Sequence, residues 1–320
     1  MNGKELAPIR VERAITRLAR NFQNGERLTA ASMQQSIDVL RAYHELLLEY
    51  NTCFVACGAT GVMRRAGNAN EFLQDIRTST GLGVCILSEE AEAMLSAKGI
   101  LSVLPHTPKG ILLFDLGGSS TEFLLIDSEQ PEPIWDTSVF IGAATITDKY
   151  LPDDPPNEGS IHATINAIQK EIEPVIGQVR AFLKRLDISM EDLLVVCTAG
   201  TATTLAAMYL RMDDYEPHRV NGLSLSSKWL KYTIDQLARL SIDSRQAIPG
   251  LEKGREDIIL GGALIVAGIL DNLEQDRFTV TDAGLLEGLL LNLVEERCDM
   301  PQTLRTPLTW NWQKSRRQSH

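Results

Sequence analysis

The sequence lacks long apolar runs and an opening that resembles a signal peptide. No stretch of about 18 consecutive apolar residues occurs, so no transmembrane helix is predicted. Residues 1–5, Met-Asn-Gly-Lys-Glu, do not begin the apolar segment of a signal peptide. We therefore expect a cytoplasmic protein with no membrane partner.

Metal-binding spacing is also missing from the cysteines and histidines. The sequence contains no CxxC, HxH or HxxxH pair, and structural zinc sites need closely spaced ligands of these types. Most of the cysteines lie in or beside apolar runs, where a free cysteine acts as a small apolar side chain. Reduced thiols also fit the cytoplasm. We expect no pairing among Cys53, Cys57, Cys85, Cys197 and Cys298.

Basic residues are outnumbered by acidic ones. Lys and Arg number 31 against 42 Asp and Glu, which gives a net charge of −11. Such a surface does not attract nucleic acid or acidic membranes, so no nucleic-acid partner is expected. A polyanionic substrate would need a locally basic pocket and a metal ion. The length of 320 residues, 44% of them hydrophobic and 23% charged, is typical of two globular domains.

The most informative segment is a glycine- and hydroxyl-rich turn between two apolar runs. The run from Ile111 ends in Asp115, and strand-like residues 123–126 come after the turn, so the pattern predicts a β-hairpin. A Walker A loop leads into a helix and carries a Gly-Lys pair, and neither feature occurs here. Backbone amides and hydroxyls of such a turn can bind phosphate oxygens; the alternative is an ordinary hairpin with a solvated Asp. The phosphate-binding candidates are Gly117, Gly118, Ser119, Ser120 and Thr121.

Helix and strand patterns alternate along the chain, which predicts an α/β architecture with a mostly parallel sheet in each half. The proline-containing segment 105–110 is the best domain boundary. We predict one domain over residues 1–107, a second over 108–300 and a loosely held tail over 301–320. The predicted helices are 30–50 with Thr29 as N-cap, 68–78, 89–104, 161–186 with an interruption near Pro174, 202–210, 226–240, 255–273 and 285–297. The predicted strands are 53–59, 84–87, the hairpin, 134–141, 193–198 and 278–281.

Several motifs, in order, resemble one protein family. Residues 115–122, Asp-Leu-Gly-Gly-Ser-Ser-Thr-Glu, resemble the phosphate motif D-x-G-G-G-S-T-E, with Ser119 in place of the third Gly. Residues 59–69 resemble A-T-x-A-x-R-x-A-x-N, and residues 88–93 resemble S-G-x-x-E-A. From about residue 10 to about residue 292 the chain is similar to the exopolyphosphatase and guanosine pentaphosphatase (Ppx/GppA) family. The resemblance implies a two-lobed actin-like ATPase (ribonuclease H-like) fold that binds phosphates between its lobes.

Carboxylates in these motifs are the candidate catalytic groups. The resemblance aligns Glu92 with the family's catalytic glutamate, and Glu90 is its local rival. Without the resemblance, acidic residues at a helix start would simply complement the helix dipole. Asp115 is the second catalytic candidate, and together with Glu122 it is a candidate ligand of Mg²⁺, which prefers carboxylate and phosphate oxygens.

Other candidates would contact the substrate. Arg64 comes after a predicted strand, where its guanidinium can meet a phosphate. Asn68 either belongs to the same motif or only caps the next helix. Gly200 and Thr201 resemble the family's G-G-T turn, at which amides of a helix N-terminus bind phosphate or approach a nucleoside; Ala199 replaces the first Gly.

The sequence departs from the family pattern in three places. Leu286 and Thr145 stand where the family has arginines, which weakens the prediction of a polyanion site. Family members also open with a first phosphate hairpin, D-x-G-(S/T)-N-S, whereas residues 15–18 already match the family segment located after that hairpin. We therefore expect an N-terminally truncated first lobe.

The resemblance implies a hydrolase that releases terminal phosphate from inorganic polyphosphate or guanosine pentaphosphate with Mg²⁺. The alternative is a catalytically impaired regulator that binds phosphate or nucleotide through the same turn. A phosphotransferase is a third candidate, but no acceptor pocket is identifiable in the sequence. Apolar helices in the second half leave a homodimer open.

Overall fold

A computed structural model of the chain describes residues 5–6, 9–14, 16, 18, 22, 26–104, 108–127, 133–298 and 309–310. Twelve helices and ten strands are assigned within these ranges. The helices are α1 (Ala30–Glu49), α2 (Val62–Arg65), α3 (Ala69–Thr80), α4 (Glu89–Val103), α5 (Ala143–Tyr150), α6 (Glu158–Arg185), α7 (Ala199–Leu210), α8 (Pro217–Val220), α9 (Ser227–Arg239), α10 (Ile242–Arg245), α11 (Ile259–Leu273) and α12 (Leu285–Arg297). The strands are β1 (Glu5–Leu6), β2 (Gly58–Ala59), β3 (Cys85–Ile86), β4 (Gly110–Leu116), β5 (Thr121–Asp127), β6 (Trp135–Val139), β7 (Leu193–Thr198), β8 (Leu223–Ser226), β9 (Arg277–Val280) and β10 (Thr309–Trp310).

The described residues form two compact units. Unit 1 contains those up to Gly99 together with those from Leu285 onward, and unit 2 contains Ile100–Gly284. The sequence prediction divided the chain near residue 107 and placed helix 285–297 in the second domain, whereas the contacts place α12 in unit 1. Most of the predicted tail lies outside the described residues. Thr309 and Trp310 form β10, which pairs in parallel with β1.

Unit 1 is a layer of helices with short parallel strand pairs. Thr29 caps α1 as predicted, because its hydroxyl accepts a hydrogen bond from the amide of Ser32. Gly81 ends α3 in the left-handed conformation at φ +74°, which only glycine adopts without strain. The helices enclose a small apolar core: Leu28, Ile37, Met63, Ala69, Phe72, Ile76 and Leu82.

Asn68 is buried, and its side chain does not cap α3. Its amide oxygen accepts from the Leu28 amide at 2.8 Å, and its amide nitrogen donates to the Leu28 carbonyl at 3.1 Å. The interpretation of Asn68 as a helix cap is therefore wrong. The side chain pairs with both polar groups of a buried backbone segment, as a neighbouring strand would.

Unit 2 is built on one six-stranded sheet with the order β6-β5-β4-β7-β9-β8. The central strand β4 is parallel to β7, and β7 is parallel to β9. The pairs β4·β5, β5·β6 and β8·β9 are antiparallel. The predicted hairpin is present, but the prediction of a mostly parallel sheet is wrong for this unit, since both edges are antiparallel. Strand β8 has only four residues and no apolar run, so the sequence did not reveal it.

Helices cover the sheet and form the main core with it. The apolar helix α11 is buried over most of its length, which explains why its sequence shows no polar face. A Cβ on Gly268 would collide with Ile168, so α11 and α6 are in close contact at that point. Helix α6 runs unbroken through Pro174. The predicted interruption is wrong because a row of buried apolar residues before and after the proline holds both halves against the core, despite the missing backbone donor.

Other local predictions differ in detail. The strand predicted at 53–59 is confined to Gly58–Ala59. All five cysteines are free, as expected, but Cys53, Cys85 and Cys298 are exposed and do not fill a core. Cys197 is buried, and burial raises the pKa of its thiol well above the usual range. No helix among the described residues is long and apolar enough to span a membrane.

Candidate functional site

The predicted phosphate turn joins β4 to β5 in unit 2. The Gly117 amide donates to the Ser120 carbonyl at 3.0 Å, which closes the turn. Gly118 and Ser119 at its tip are exposed, whereas Thr121 is buried at the start of β5. The amides and hydroxyls at the tip are therefore accessible to an anion, and a buried threonine anchors the strand behind them.

Helix α5 supports the turn from behind. Ala143 donates its amide to the Gly117 carbonyl at 3.0 Å, and Ala144 donates to the Gly118 carbonyl at 2.9 Å. A Cβ on Gly142 would lie 2.5 Å from the Gly118 carbonyl atoms, so only glycine permits this approach. The carbonyls that would repel a phosphate are thus engaged by α5, which leaves the turn's donor groups available on the other side.

Two carboxylates flank the turn. Asp115 on β4 is paired in register with Glu122 on β5, and side chains at directly opposed positions of an antiparallel pair share one face of the sheet. The Glu122 carboxylate accepts from the Ser120 hydroxyl at 2.6 Å and from the Ser138 hydroxyl at 3.1 Å. Among the described residues no group of three or more His, Cys, Asp or Glu is arranged to hold a metal ion. Two carboxylates next to a phosphate turn still match what Mg²⁺ needs when the phosphates supply the remaining oxygens.

Thr145, where the sequence resemblance predicted an arginine, has a local structural role. Its hydroxyl accepts from the Gly142 amide at 2.9 Å and donates to the Gly142 carbonyl at 3.0 Å. This arrangement fixes the first turn of α5 and, through Gly142, the base of the phosphate turn. The residue therefore stabilises the turn without supplying a cation.

The second glycine turn begins at the end of β7. Strand β7 is parallel to β4, with Thr198 in register with Asp115. Both turns therefore leave the sheet at the edge formed by the carboxyl ends of these strands. Ala199 adopts φ +70°, a left-handed conformation that is strained for a residue with a Cβ. The Arg255 guanidinium fills the space over Gly200, and it also forms an ion pair with Glu252.

Thr201 lies in a different environment from its neighbour Gly200. Its side chain is buried against Gly262 of α11, where a Cβ would collide with it. Gly200 therefore lies beneath a cation at the sheet edge, whereas Thr201 packs in the core of the unit. Of the two residues predicted to bind substrate in this turn, the geometry favours Gly200.

The candidates in unit 1 form a separate cluster. Arg64 on α2 donates to the Glu92 carboxylate of α4 at 2.5 Å and to the Leu87 carbonyl at 3.1 Å. A second guanidinium nitrogen lies 3.7 Å from the exposed carboxylate of Glu89. The structure thus pairs the predicted cation directly with the predicted catalytic glutamate.

Glu90 is in a different environment from Glu92. Its carboxylate accepts hydrogen bonds from its own backbone amide and from the Ser88 hydroxyl, and these bonds lower the pKa of Glu90. The Ser88 hydroxyl also accepts from the Ala91 amide at 3.1 Å, as expected for the residue that precedes a helix. Glu90 therefore complements the start of α4, and Glu92 is the acidic residue of this helix that contacts Arg64 most closely.

The structure brings the predicted site residues together in two sets, one in each unit. Arg64 and Glu92 form the first set. The second set consists of Asp115, Gly117, Gly118, Ser119, Ser120, Thr121 and Glu122, with Gly200 on the neighbouring strand end. Sequence reasoning assigned neither Ser138 nor Arg255 to the site. Ser138 lies in no recognised motif. The sequence signal for Arg255 was that residues 255–263 resemble the element R-x-x-x-I-x-x-G-x of the same family.

Known proteins resemble this chain along most of its length. It is 26% identical over 286 residues to the bifunctional 3-dehydroquinate synthase/phosphatase of Fusobacterium nucleatum, a match that spans 88% of this chain and 41% of that protein. It is 26% identical over 300 residues to exopolyphosphatase 2 of Mycobacterium tuberculosis, over 90% of each protein. It is also 26% identical to the guanosine-5'-triphosphate,3'-diphosphate pyrophosphatase of Vibrio parahaemolyticus, over 92% of this chain and 56% of that protein.

The fold is similar as well. A crystal structure of the Aquifex aeolicus Ppx/GppA family member superposes with a TM-score of 0.73 at 26% identity, covering 88% of this chain and 86% of that one. The predicted actin-like α/β fold class is confirmed. The model of the Ppx/GppA phosphatase family matches residues 1–297. Since this match includes both glycine turns and the Arg64–Glu92 pair, the chain belongs to the Ppx/GppA phosphatase family.

Proposed function

We propose that this protein hydrolyses the terminal phosphoanhydride bond of inorganic polyphosphate or of guanosine pentaphosphate. The observation that carries the proposal is the turn at Gly117–Ser120, whose tip is exposed at Gly118 and Ser119 and which is flanked on one sheet face by Asp115 and Glu122. An anionic chain needs donors for its phosphate oxygens and neutralisation of its charge. The turn offers the donors, and its two carboxylates would hold a metal ion that neutralises the charge. The names of the relatives, which include an exopolyphosphatase and a guanosine polyphosphate pyrophosphatase, support the two substrate classes.

Residues of unit 2 would hold the phosphate. Amides and hydroxyls at the tip of the turn donate to phosphate oxygens, and the Gly200 turn offers a helix N-terminus at the same sheet edge. Asp115 and Glu122 would hold Mg²⁺, which would supply neutralisation of charge on the phosphate oxygens. The Ser120 and Ser138 hydroxyls keep the Glu122 carboxylate oriented before substrate binds.

Glu92 is the proposed general base. It would accept a proton from a water molecule whose oxygen bonds to the terminal phosphorus as the anhydride P–O bond breaks. The shortened chain leaves with the bridging oxygen, and orthophosphate is released. Arg64 holds the Glu92 carboxylate at 2.5 Å and is itself held by the Leu87 carbonyl, so the orientation of the base is fixed.

The test measures phosphate release from long-chain polyphosphate and from guanosine pentaphosphate with Mg²⁺. We expect turnover of at least one substrate by the unaltered chain and a loss of about 10²-fold or more in Glu92→Gln, the usual contribution of a general base. Glu90→Gln is the matched control, since Glu90 lies in the same helical turn without the close bond to Arg64.

Three outcomes would each refute a different part of the proposal. No turnover of either substrate by the unaltered chain would refute hydrolysis and leave the binding-protein alternative. Equal losses in Glu92→Gln and Glu90→Gln would refute the assignment of the base. For the metal, Asp115→Asn should raise the Mg²⁺ concentration needed for half-maximal activity; an unchanged Mg²⁺ dependence would refute the proposed ligand.

A further inference from the structure

Phe140 is the most exposed large apolar side chain among the described residues, with 82% of its surface accessible. It directly follows β6, along which exposed and half-buried residues alternate. Phe140 continues this alternation in exposure, after the exposed residues Asp136 and Ser138. A single exposed apolar residue is ordinary on a protein surface, so its position decides whether it has a role.

That position is beside the phosphate turn. Strands β5 and β6 pair with Glu122 opposite Ser138 and Thr121 opposite Val139. Phe140 directly follows Val139, and Ser120 directly precedes Thr121, so both residues lie one position beyond the last pair of the ladder. Phe140 is therefore at the end of the β5·β6 ladder from which the phosphate turn leaves.

The backbone around Phe140 is held on both sides. The Ile141 amide donates to the Val139 carbonyl at 2.8 Å, which makes Phe140 the central residue of a three-residue bend. The Thr121 hydroxyl donates to the Ile141 carbonyl at 2.6 Å. Gly142, two residues further on, packs against Gly118 of the turn. The ring is thus carried on a backbone that is fixed to the turn itself.

A polyphosphate chain alone would give this ring nothing to pack against, because every exposed atom of the chain is a charged or bridging oxygen. A ligand that combines phosphates with a flat apolar surface would contact both features. Nucleobases stack on aromatic side chains, and the ring lies within two residues, or about 7.6 Å of chain, of the contact between Gly142 and Gly118. A ribose linking phosphate to base spans a gap of that order.

We propose that Phe140 is a specificity-determining residue that stacks on the base of a purine nucleotide whose phosphates lie on the Gly117–Ser120 turn. This inference rests on the proposed function of the same turn. It separates the two substrate classes, since the ring contributes to the affinity of a guanosine polyphosphate and not to that of inorganic polyphosphate.

The test compares two ligands with the same number of phosphates, guanosine 5'-triphosphate and inorganic tripolyphosphate. Their dissociation constants are measured by calorimetry with Mg²⁺ for the unaltered chain, Phe140→Ala and Phe140→Trp. We expect Phe140→Ala to weaken guanosine triphosphate binding by about fivefold to a hundredfold, the range of one base stack, while tripolyphosphate binding stays within about twofold. Phe140→Trp should retain the affinity for the nucleotide. Tyr232→Ala, which removes another exposed aromatic ring of unit 2, is the control that should change neither constant.

Any of three results with Phe140→Ala would overturn the proposal: unchanged guanosine triphosphate affinity, equal weakening of both ligands, or a change in oligomeric state that accounts for the loss. Absence of guanosine triphosphate binding by the unaltered chain would overturn it too. Failure of the proposed function is distinguishable, because phosphate release is measured separately. Hydrolysis with no effect of Phe140→Ala on the nucleotide refutes only the stacking role. A selective effect of Phe140→Ala on nucleotide binding, without hydrolysis of either substrate, refutes only the enzymatic function.

Discussion

The buried ion pair between Lys98 and Glu295 allows a direct test of how unit 1 is packed. Lys98 on α4 and Glu295 on α12 form an ion pair, with 3% and 0% of their side chains exposed. The second oxygen of Glu295 has no hydrogen-bond partner among the described residues. The two helices are in backbone contact nearby, since a Cβ on Gly288 would collide with the Leu95 carbonyl. Each charge therefore depends on the other for its stabilisation.

Lys98→Met removes the ammonium group and keeps the length and apolar character of the side chain. Glu295 is then left buried without a counter-ion, and breaking a buried pair in this way typically costs about 3–5 kcal/mol. Glu295→Leu should lower the free energy of unfolding by a similar amount, because it leaves the ammonium group of Lys98 buried without a counter-ion. The double variant buries neither charge, so we expect its stability to lie within about 1 kcal/mol of the unaltered chain or above it.

The free energy of unfolding is measured by urea titration followed by far-ultraviolet circular dichroism. Arg27→Met is the matched control, since Arg27 and Glu71 form an ion pair in the same unit with 63% of each side chain exposed. Loss of an exposed pair should cost less than about 1 kcal/mol. The reasoning fails if Lys98→Met and Arg27→Met are equally mild, or if the double variant loses the sum of the two single losses.

Two further substitutions test the backbone contacts described above. Gly142→Ala should cost about 1–3 kcal/mol and weaken tripolyphosphate binding, because the new Cβ must displace the Gly118 backbone of the phosphate turn; Gly83→Ala, where a Cβ meets nothing within 4 Å, should change neither the urea midpoint nor the affinity. Asn68→Ala should cost about 2–4 kcal/mol in the same titration because it leaves the buried amide and carbonyl of Leu28 unpaired, and a loss below that of Gly83→Ala would contradict the pairing.

Features that depend on local sequence were predictable. The N-cap of α1 and the bounds of α12 follow from nearby residues, as does the hairpin at Asp115. Turn residues and apolar periodicity act over a few positions, so they leave a readable pattern. The phosphate turn belonged to this class.

Features that depend on contacts between residues distant in the sequence could not be predicted. Arg64 and Glu92 are 28 residues apart, and no sequence pattern predicts that they form an ion pair. Asn68 is 40 residues from Leu28, and the same local sequence would allow it to cap a helix. Pro174 lies in a helix whose continuity depends on burial against the core, which propensity alone cannot reveal. The role proposed for Phe140 likewise depends on the β5·β6 register.

Unit 1 is assembled from chain segments that precede and follow unit 2 in the sequence, and this has a consequence for synthesis on the ribosome. Within the described residues unit 2 is one continuous stretch of chain, so all of its strands are available as soon as that stretch has emerged. Unit 1 needs α12, and its buried pair joins residues 197 positions apart. Until α12 emerges, Lys98 has no counter-ion and the surface around Leu95 has no partner. We therefore expect the α4–α12 contact to be the last part of unit 1 to form, and until then the surface of α4 around Leu95 is open to chaperones or to misassembly.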